Sequence, residues 1–390
     1  MIDINCFKKG QPKKNTNSYK WDINPNTKYS FSVADSDYET CPEIKEALLK
    51  RIETGIIDYH FNDTDFYEAL SKWCKERYHY DVDPQNIVTT PGVVNALYFI
   101  IKLFSSEEDA VLVNPPVYNP FFDVVKNNNR KLLTSKMKRV EVNDLEFSYV
   151  FDFEDLEEKI KNAKIYILCN PHNPIGRCFS HDELEKIVKL CKKYDTLLVA
   201  DEIHCDIVMN GFWFTSLGTF ASLYDKIILT TAISKTFNLA GLYFANVMFF
   251  NSTLKEKFKN LYNEMFICNN ALGEIAGNVA YRVGQEYVDV QNQYLSENKE
   301  IILSFVKEHH LKMAKLEGTY LAWLDVSRCN LTQDDLMKRL TDAGITLNSG
   351  TVYDCDSIGY IRINLACARD TLINGLELIG KVLFVGDGHD

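Results

Sequence analysis

The sequence lacks several features that would assign it to a particular class of protein. It has no block of basic residues, and its formal net charge of −11 argues against nucleic acid as a partner. Its apolar runs, such as residues 110–113 (AVLV), are far shorter than the roughly 20 residues that a membrane-spanning helix needs. The eleven cysteines contain no CxxC pair and show no metal-like spacing with histidines. We therefore expect no nucleic-acid partner, no membrane insertion and no metal site.

The overall composition is typical of a globular protein of the cytoplasm. The chain has 390 residues, 46% of them hydrophobic, so it can bury a large core, and its length predicts two or three domains. The polar N-terminal residues contain no apolar stretch of the kind found in signal peptides. Unpaired cysteines in a chain without an export signal fit a reducing compartment. We therefore predict a cytoplasmic location.

Strands and helices alternate along the first two thirds of the chain. Short apolar runs at residues 86–89, 110–114, 164–168, 196–200, 226–231 and 245–250 predict strands. Helical patterns separate several of them, including residues 181–194, where Ser180 and Glu183 form a predicted capping box. This alternation predicts an α/β fold with a mostly parallel, doubly covered sheet, which binds ligands at the carboxyl ends of its strands. After residue 270, a long helical region (272–309) precedes a pattern typical of a smaller α+β domain.

A serine–lysine pair follows one of the predicted strands. Ser234 and Lys235 lie just beyond residues 226–231 (KIILTT). Burial lowers the pKa of a lysine, and a less protonated amine is a better nucleophile toward an aldehyde. The hydroxyl of Ser234 can donate to a phosphate. The pair is a candidate Schiff-base site for pyridoxal phosphate, although most Ser-Lys dipeptides lie on solvated surfaces.

Two loops that follow other strands contain candidate ligand-binding residues. Gly92 lies where a strand turns into a helix, so a ligand can approach closely and free helix N–H groups can attract phosphate. Asn173 lies in residues 170–176 (NPHNPIG), where two Asn-Pro pairs and a glycine force an irregular loop. Its side chain can hydrogen-bond a ligand oxygen. An ordinary strand–helix turn and a turn stabilised by Asn side chains are the alternative interpretations.

Three further residues are candidates for contacting charged parts of a ligand. Asp201 ends an apolar strand, and a buried carboxylate needs a positive partner such as a protonated pyridine nitrogen. His204 can reach the same ligand from the following turn. Arg362, in residues 360–364 (YIRIN), offers a planar fork that matches a carboxylate. A helix cap or salt bridge, a structural histidine and a surface charge are the respective alternatives.

The order and placement of these motifs resemble those of a known family. The chain is similar to fold-type I pyridoxal-phosphate enzymes of the aminotransferase superfamily, and in particular to the C–S β-lyases of the MalY/PatB group. The resemblance extends from about residue 31 to residue 369. The segments that carry it are 33–38 (VADSDY), 58–60 (DYH), 90–94 (TPGVV), 116–118 (PVY), 170–176 (NPHNPIG), 200–204 (ADEIH), 234–241 (SKTFNLAG) and 361–365 (IRINL).

The resemblance implies a fold and a cofactor, pyridoxal 5′-phosphate. The expected large domain, residues 46–285, has three layers around the mostly parallel sheet, as in aspartate aminotransferase. Residues 286–390 would form the smaller α+β domain, completed by residues 1–45. Lys235 would carry the cofactor and move the α-proton of the substrate. Asp201 would pair with the pyridine nitrogen, Asn173 would contact the ring hydroxyl oxygen, and Tyr118 would stack on the ring.

The resemblance also implies the contacts of the phosphate and of the substrate. Val93, Val94 and Ser234 would hold the phosphate, joined by Tyr59 from a neighbouring subunit. Arg362 would bind the carboxylate of an amino-acid substrate. Because Tyr59 would act across an interface, the expected assembly is a homodimer with shared active sites.

The chain departs from the pattern of many aminotransferases at three positions. His204 stands where many of them carry tyrosine, as it does in the lyase group. Ala232 and Tyr243 stand where many carry a hydroxyl residue and a basic residue, so the phosphate loses two partners. We expect either a weaker affinity for the cofactor or compensation by donors such as Tyr59.

The resulting functional prediction is β-elimination from an L-cysteine S-conjugate, with L-cystathionine as the leading candidate. The products would be pyruvate, ammonia and a thiol. Two alternatives stay open at this point. An aminotransferase would use the same residues, and a regulatory protein would use the same scaffold. The sequence does not define the size of the leaving group.

Overall fold

Two sheets organise the protein in the computed structural model, which describes residues 2–10, 13–60, 64–268 and 270–384. A further pair of short strands joins the N-terminal segment to the C-terminal part of the chain. The strands are β1 Tyr29–Ser30, β2 Ile87–Thr90, β3 Ala110–Val113, β4 Lys131–Thr134, β5 Lys138–Glu141, β6 Glu146–Val150, β7 Ile165–Cys169, β8 Leu197–Asp201, β9 Ile227–Ala232, β10 Ala245–Phe249, β11 Lys312–Ala314, β12 Leu321–Asp325, β13 Ile345–Thr346, β14 Asn348–Ser349 and β15 Tyr360–Asn364.

Helices cover these sheets and connect their strands. None of those in the described residues combines the length and the apolar character that crossing a bilayer requires. They are α1 Asn5–Lys8, α2 Pro42–Glu53, α3 Thr64–Tyr78, α4 Val93–Phe104, α5 Pro120–Asn127, α6 Phe153–Asn162, α7 His181–Tyr194, α8 Ile233–Thr236, α9 Ser252–Glu264, α10 Ala271–Val283, α11 Gln285–Glu308, α12 Gln333–Asp342 and α13 Arg369–Leu383.

The larger sheet has seven strands in the order β2-β10-β9-β8-β7-β3-β4. Strand β10 pairs antiparallel with both β2 and β9, and the remaining pairs of this sheet are parallel. Alternate residues of its strands enter two separate hydrophobic clusters; Val111 and Val113 pack with residues of α4 and α5, whereas Leu112 belongs to the other cluster. Both faces of the sheet are therefore covered, which explains why the sequences of these strands are continuous apolar runs. The predicted three-layer α/β fold is confirmed.

The smaller sheet has six strands in the order β14-β15-β12-β11-β6-β5 and is mostly antiparallel. Its strands β5 and β6 come from within residues 46–285, the range that the sequence analysis assigns to the large domain. Their participation was not anticipated. Strand β1 pairs with β13 in parallel, so the N-terminal segment does contact the C-terminal part of the chain. The domain boundaries stay a prediction.

Local signals in the sequence account for several boundaries. Helix α7 begins with the predicted capping box, in which the Ser180 hydroxyl accepts from the Glu183 N–H and the Glu183 carboxylate accepts from the Ser180 N–H. The predicted helical region 272–309 is two helices, α10 and α11, that meet at Gly284. A Cβ at Gly284 would collide with the ring of Phe237. Residues 31–35 follow β1 without forming a strand.

Candidate active site

A cavity of about 980 Å³ lies at the carboxyl ends of the central strands and reaches β15 of the smaller sheet. Asp201 at the end of β8 and Ala232 at the end of β9 line it, as a parallel α/β sheet predicts. Tyr59, in contrast, is 98% exposed and lies outside the lining. The predicted site residues that line the cavity together are Gly92, Val93, Val94, Tyr118, Asn173, Asp201, His204, Ser234, Lys235 and Arg362.

Lys235 lies on the short helix α8, directly after β9. Its Nζ donates a hydrogen bond of 2.7 Å to the carbonyl oxygen of Ala34. Burial lowers the pKa of Lys235 to about 8; the Asp35 carboxylate opposes this shift, and Arg362 adds to it. An amine with such a pKa becomes largely neutral at mildly basic pH, so it can act there as a nucleophile or a base.

Asp201 and His204 form the buried floor of the cavity. Asp201 accepts a hydrogen bond of 3.1 Å from the N–H of Ile203, and burial raises the pKa of this carboxyl to about 7. A cationic group placed against Asp201 would stabilise its ionised form. Burial lowers the pKa of His204 well below its usual value, and the neighbouring Lys235 acts in the same direction, so its imidazole is neutral. Its ring packs edge-on against Tyr320.

Arg362 is held by neutral groups. Its Nη1 donates to Asn173 Oδ1 at 3.0 Å, and its Nη2 donates to Asn348 Oδ1 at 3.1 Å and to the carbonyl oxygen of Ser32. The guanidinium also lies over the ring of Tyr353, 5.1 Å from its centroid. Within the described residues, no carboxylate forms an ion pair with this buried cation. An anionic ligand in the cavity would therefore meet an uncompensated, oriented guanidinium.

The N-terminus of α4 forms another end of the cavity. Gly92 precedes the helix with φ of 148°, a backbone conformation that favours glycine, and a Cβ there would meet nothing within 4 Å. The first N–H groups of α4, which include those of Val93 and Val94, have no partners within the helix. Ser234 and the exposed Tyr243 line the same cavity. This arrangement of helix N–H groups and hydroxyls suits a phosphate.

Tyr118 lies on the cavity wall just before α5. Its ring packs edge-on against Phe121, with centroids 5.8 Å apart. Burial raises the pKa of Tyr118, and the nearby Asp201 adds to that shift, so the phenol is neutral. A neutral aromatic ring at this position offers a stacking surface for a planar ligand.

Several polar lining residues were not predicted from the sequence, and two of them bear directly on the site. Asn348 lies on β14 and orients Arg362, and Tyr19 comes from the N-terminal segment. Neither residue belongs to a segment that carries the family resemblance, and neither follows a strand of the large sheet. Only their contacts in the folded chain reveal them.

The cavity residues fit pyridoxal 5′-phosphate. The buried Asp201 can pair with a protonated pyridine nitrogen, and Lys235 can react with the aldehyde. The N-terminus of α4 and Ser234 can donate hydrogen bonds to the phosphate. Arg362 remains available for a carboxylate that does not belong to the cofactor.

Comparisons with known proteins agree with this fit. The family model "Aminotransferase class I and II" matches residues 26–379. The chain is 33% identical to cystathionine β-lyase PatB from Bacillus subtilis (strain 168), over 97% of this chain and 99% of that protein. It resembles the structure of cystalysin from Treponema denticola, which contains pyridoxal 5′-phosphate, with a TM-score of 0.91 and 32% identity over 98% and 99% of the two chains. A pyridoxal-phosphate-bound C–S lyase from Staphylococcus hominis gives a TM-score of 0.89 and 28% identity over 97% and 98% of the chains.

Proposed function

The chain belongs to the aminotransferase class I and II family, and we infer that it is a pyridoxal 5′-phosphate-dependent carbon–sulfur β-lyase. It cleaves L-cystathionine or other L-cysteine S-conjugates to pyruvate, ammonia and a thiol. This inference rests on the convergence of Lys235, Asp201, Asn173 and Arg362 on one cavity, in a chain that aligns over nearly its full length with several proteins named as lyases.

The bound cofactor supplies an electron sink that stabilises negative charge at the α-carbon of an amino acid. Asp201 supports that capacity because its carboxylate, buried at the cavity floor, favours a protonated pyridine nitrogen. Neutral Tyr118 offers the ring a stacking face, and Asn173 offers an amide to its hydroxyl oxygen. His204 contributes a neutral, buried wall beside them.

Lys235 is the proposed base of the reaction. Its Nζ, with a pKa lowered to about 8 by burial, can take the proton from the α-carbon at mildly basic pH. Loss of the thiolate from the β-carbon then follows, the thiolate takes up a proton, and water hydrolyses the released 2-aminoacrylate to pyruvate and ammonia. The Ala34 carbonyl oxygen, 2.7 Å from Nζ, holds the amine in position when Nζ is bound to neither cofactor nor substrate.

Arg362 is the proposed binding site for the α-carboxylate. Its two terminal nitrogens are aimed by Asn173, Asn348 and the Ser32 carbonyl, so the fork is oriented before substrate arrives. A preorganised guanidinium loses little conformational freedom on binding, and its buried Nε–H has no hydrogen-bond partner among the described residues and is available to a carboxylate. Fixing the carboxylate in turn fixes the α-carbon relative to Lys235.

Pyruvate release without any keto-acid acceptor is the test of this function. We expect the purified protein, loaded with pyridoxal 5′-phosphate, to form pyruvate and a thiol from L-cystathionine at equal rates. An aminotransferase would instead need a keto acid and would leave the carbon–sulfur bond intact. Assaying pyruvate and free thiol together, with and without 2-oxoglutarate, separates the two. Product formation that depends wholly on 2-oxoglutarate would contradict the lyase assignment.

We also propose that the protein is a homodimer that shares its active sites. Helix α2 and the residues after it expose a run of apolar side chains, which isolated proteins rarely leave in water. Tyr59, at the end of that run, has its side chain exposed and away from the cavity of its own subunit. The exposed members are Leu49, Ile52, Ile56, Ile57 and Tyr59.

Mixed dimers test whether Tyr59 acts across the interface. We expect Tyr59→Ala and Lys235→Ala to be inactive or nearly so as separate proteins, because one weakens phosphate binding and the other lacks the base. In a mixed dimer, one site would receive both changes and the other neither. Purifying the mixed dimer with two different affinity tags should therefore recover about half the wild-type activity per dimer. No recovery would mean that Tyr59 acts within its own subunit, whereas an active Tyr59→Ala homodimer would mean that Tyr59 has no role in the site.

A cytoplasmic location is part of the same proposal. None of the cysteines of the described residues forms a disulfide, including buried ones such as Cys74 and Cys191. Free thiols are typical of reducing compartments.

A further inference from the structure

A compact loop of N-terminal residues, here called the N-terminal strap (residues 13–22), lies beside the cavity. The carboxylate of Asp22 accepts hydrogen bonds from the N–H groups of Asn15, Thr16 and Ser18 at 2.8, 3.0 and 2.9 Å. These bonds close the strap on itself, and they hold the pKa of Asp22 below its usual value. The strap is therefore a defined loop that can place a side chain.

A buried lysine anchors the strap. Lys20 is 1% exposed, and its Nζ donates at 3.0 Å to Asp37 Oδ2 and at 3.0 Å to the carbonyl oxygen of Asp35. The indole N–H of Trp21 donates to the other oxygen of Asp37 at 2.9 Å. Asp37 is itself buried, so the anchor is a desolvated, fully oriented ion pair rather than a surface contact.

The segment that receives this anchor also contacts the reactive lysine. The carbonyl oxygen of Ala34 accepts from Lys235 Nζ, and Asn364 Nδ2 donates at 2.7 Å to the carbonyl oxygens of both Val33 and Asp35. Residues 33–37 are thus fixed on one side by the active site and on the other side by the strap. The position of the strap is coupled to that of the cavity wall.

Tyr19 precedes Lys20 and lines the cavity with a side chain that is 72% exposed. In the proposed reaction, Arg362 binds the α-carboxylate and Lys235 reaches the α-proton. The substituent on the β-carbon must then lie against other residues of the cavity lining. The lining residues on the strap, on the 33–34 segment and after β14 carry no charged side chain. They are Tyr19, Val33, Ala34, Val352 and Tyr353.

We propose that Tyr19 is a specificity-determining residue that contacts the sulfur substituent of the substrate, and that Lys20 is the residue that positions it. This inference rests on the proposed lyase function, because it assigns the leaving-group side of that site. The ring of Tyr19 gives an apolar, aromatic substituent a surface to pack on, whereas a methyl group is too small to gain much from it. The preferred substrates are therefore cysteine S-conjugates with a bulky, uncharged thiol.

The test compares one bulky and one small ligand on the holoenzyme. Two acids that lack the α-amino group, 3-(benzylthio)propanoate and 3-(methylthio)propanoate, cannot react, so calorimetry gives their Kd values directly. The corresponding substrates, S-benzyl- and S-methyl-L-cysteine, give kcat/KM. We expect wild-type protein to favour the benzyl ligand, and Tyr19→Ala to reduce this benzyl-to-methyl ratio roughly fivefold in both measurements.

Three further variants show whether the ring and its anchor are responsible. Tyr19→Phe should keep the ratio, because it keeps the ring. Lys20→Met should reduce the benzyl-to-methyl ratio as Tyr19→Ala does. If Lys20 had a purely structural role, its replacement would weaken the binding of both ligands equally. Trp213→Ala removes an aromatic side chain that is 82% exposed and outside the cavity lining, and should leave the ratio unchanged.

The possible outcomes separate this inference from the proposed function. A wild-type ratio near one, or a ratio that survives Tyr19→Ala, would overturn the role of Tyr19. If Lys20→Met weakens the binding of both ligands equally, Lys20 does not position Tyr19. The proposed role of Tyr19 itself would then still stand. Absence of pyruvate from both substrates would overturn the lyase assignment, whereas the Kd ratios would still decide on Tyr19.

Discussion

A Lys235→Ala variant is expected to lose at least about 10³-fold in the rate of β-elimination and to bind pyridoxal 5′-phosphate without a covalent bond. The change removes the one amine of the described residues that lines the cavity, and with it both the covalent anchor of the cofactor and the proposed base. Reduction with borohydride followed by mass spectrometry should show covalently attached cofactor on wild-type protein and none on the variant. Pyruvate release measures the rate.

Lys226→Ala is the matched control for this change. Lys226 directly precedes the same strand, β9, but its side chain is exposed and pairs with Asp195 at 2.5 Å. Surface pairs of this kind contribute little, so we expect nearly unchanged activity and cofactor attachment. Elimination that survives in Lys235→Ala at a rate close to that of Lys226→Ala would contradict the role of Lys235.

The pKa of Lys235 also predicts the pH dependence of cofactor attachment. Burial lowers that pKa to about 8, so the nucleophilic neutral amine becomes the major form as the pH rises through this value. The rate at which cofactor-free protein takes up pyridoxal 5′-phosphate covalently should rise with pH and level off above about 8. For an unperturbed lysine, the rise would continue toward about pH 10. Rapid-mixing absorbance measurements distinguish the two profiles.

An Arg362→Lys variant is expected to lose roughly 100-fold in kcat/KM, mostly through a higher KM. Lysine keeps the positive charge, but a single ammonium cannot replace the planar fork that reaches Asn173, Asn348 and the carbonyl of Ser32 at once. The substrate carboxylate would then lose the guanidinium N–H groups left free to bind it, and the amide oxygens would lose a donor. Initial rates with S-methyl-L-cysteine measure the effect.

Covalent cofactor attachment separates a local effect of Arg362→Lys from a misfolded site. The variant should still attach pyridoxal 5′-phosphate to Lys235, because Arg362 does not belong to the predicted cofactor contacts. Arg328→Lys, at an exposed arginine outside the cavity lining, is the control and should keep its KM. An unchanged KM in Arg362→Lys would mean that the substrate carboxylate binds elsewhere.

Much of the site was predictable because its residues follow strands. Asp201 and Lys235 come directly after apolar runs that the sequence marks as buried, and parallel strands bring their carboxyl ends to one edge. The order of the motifs then identified the family. The roles of the individual residues remain proposals that the variants above are designed to test.

Other features were not predicted from the sequence, because they depend on how distant parts of the chain pack. Strands β5 and β6 join the smaller sheet although they lie between strands of the larger one in sequence, because edge pairing depends on which strands the fold brings together. Asn348 and Tyr19 line the cavity without any motif of their own.

Hydrophobic periodicity and motif order are local properties of the chain, and they were enough to predict the α/β fold, the family and the place of Lys235 after its strand. The surroundings of Arg362 and the approach of the N-terminal strap to the cavity depend instead on how distant segments pack. The Ser32 carbonyl and Arg362 are 330 positions apart, and Ala34 and Lys235 are 201 apart. No local pattern encodes such a contact, because each partner is specified by how the whole chain packs, and the same packing lowers the pKa of Lys235.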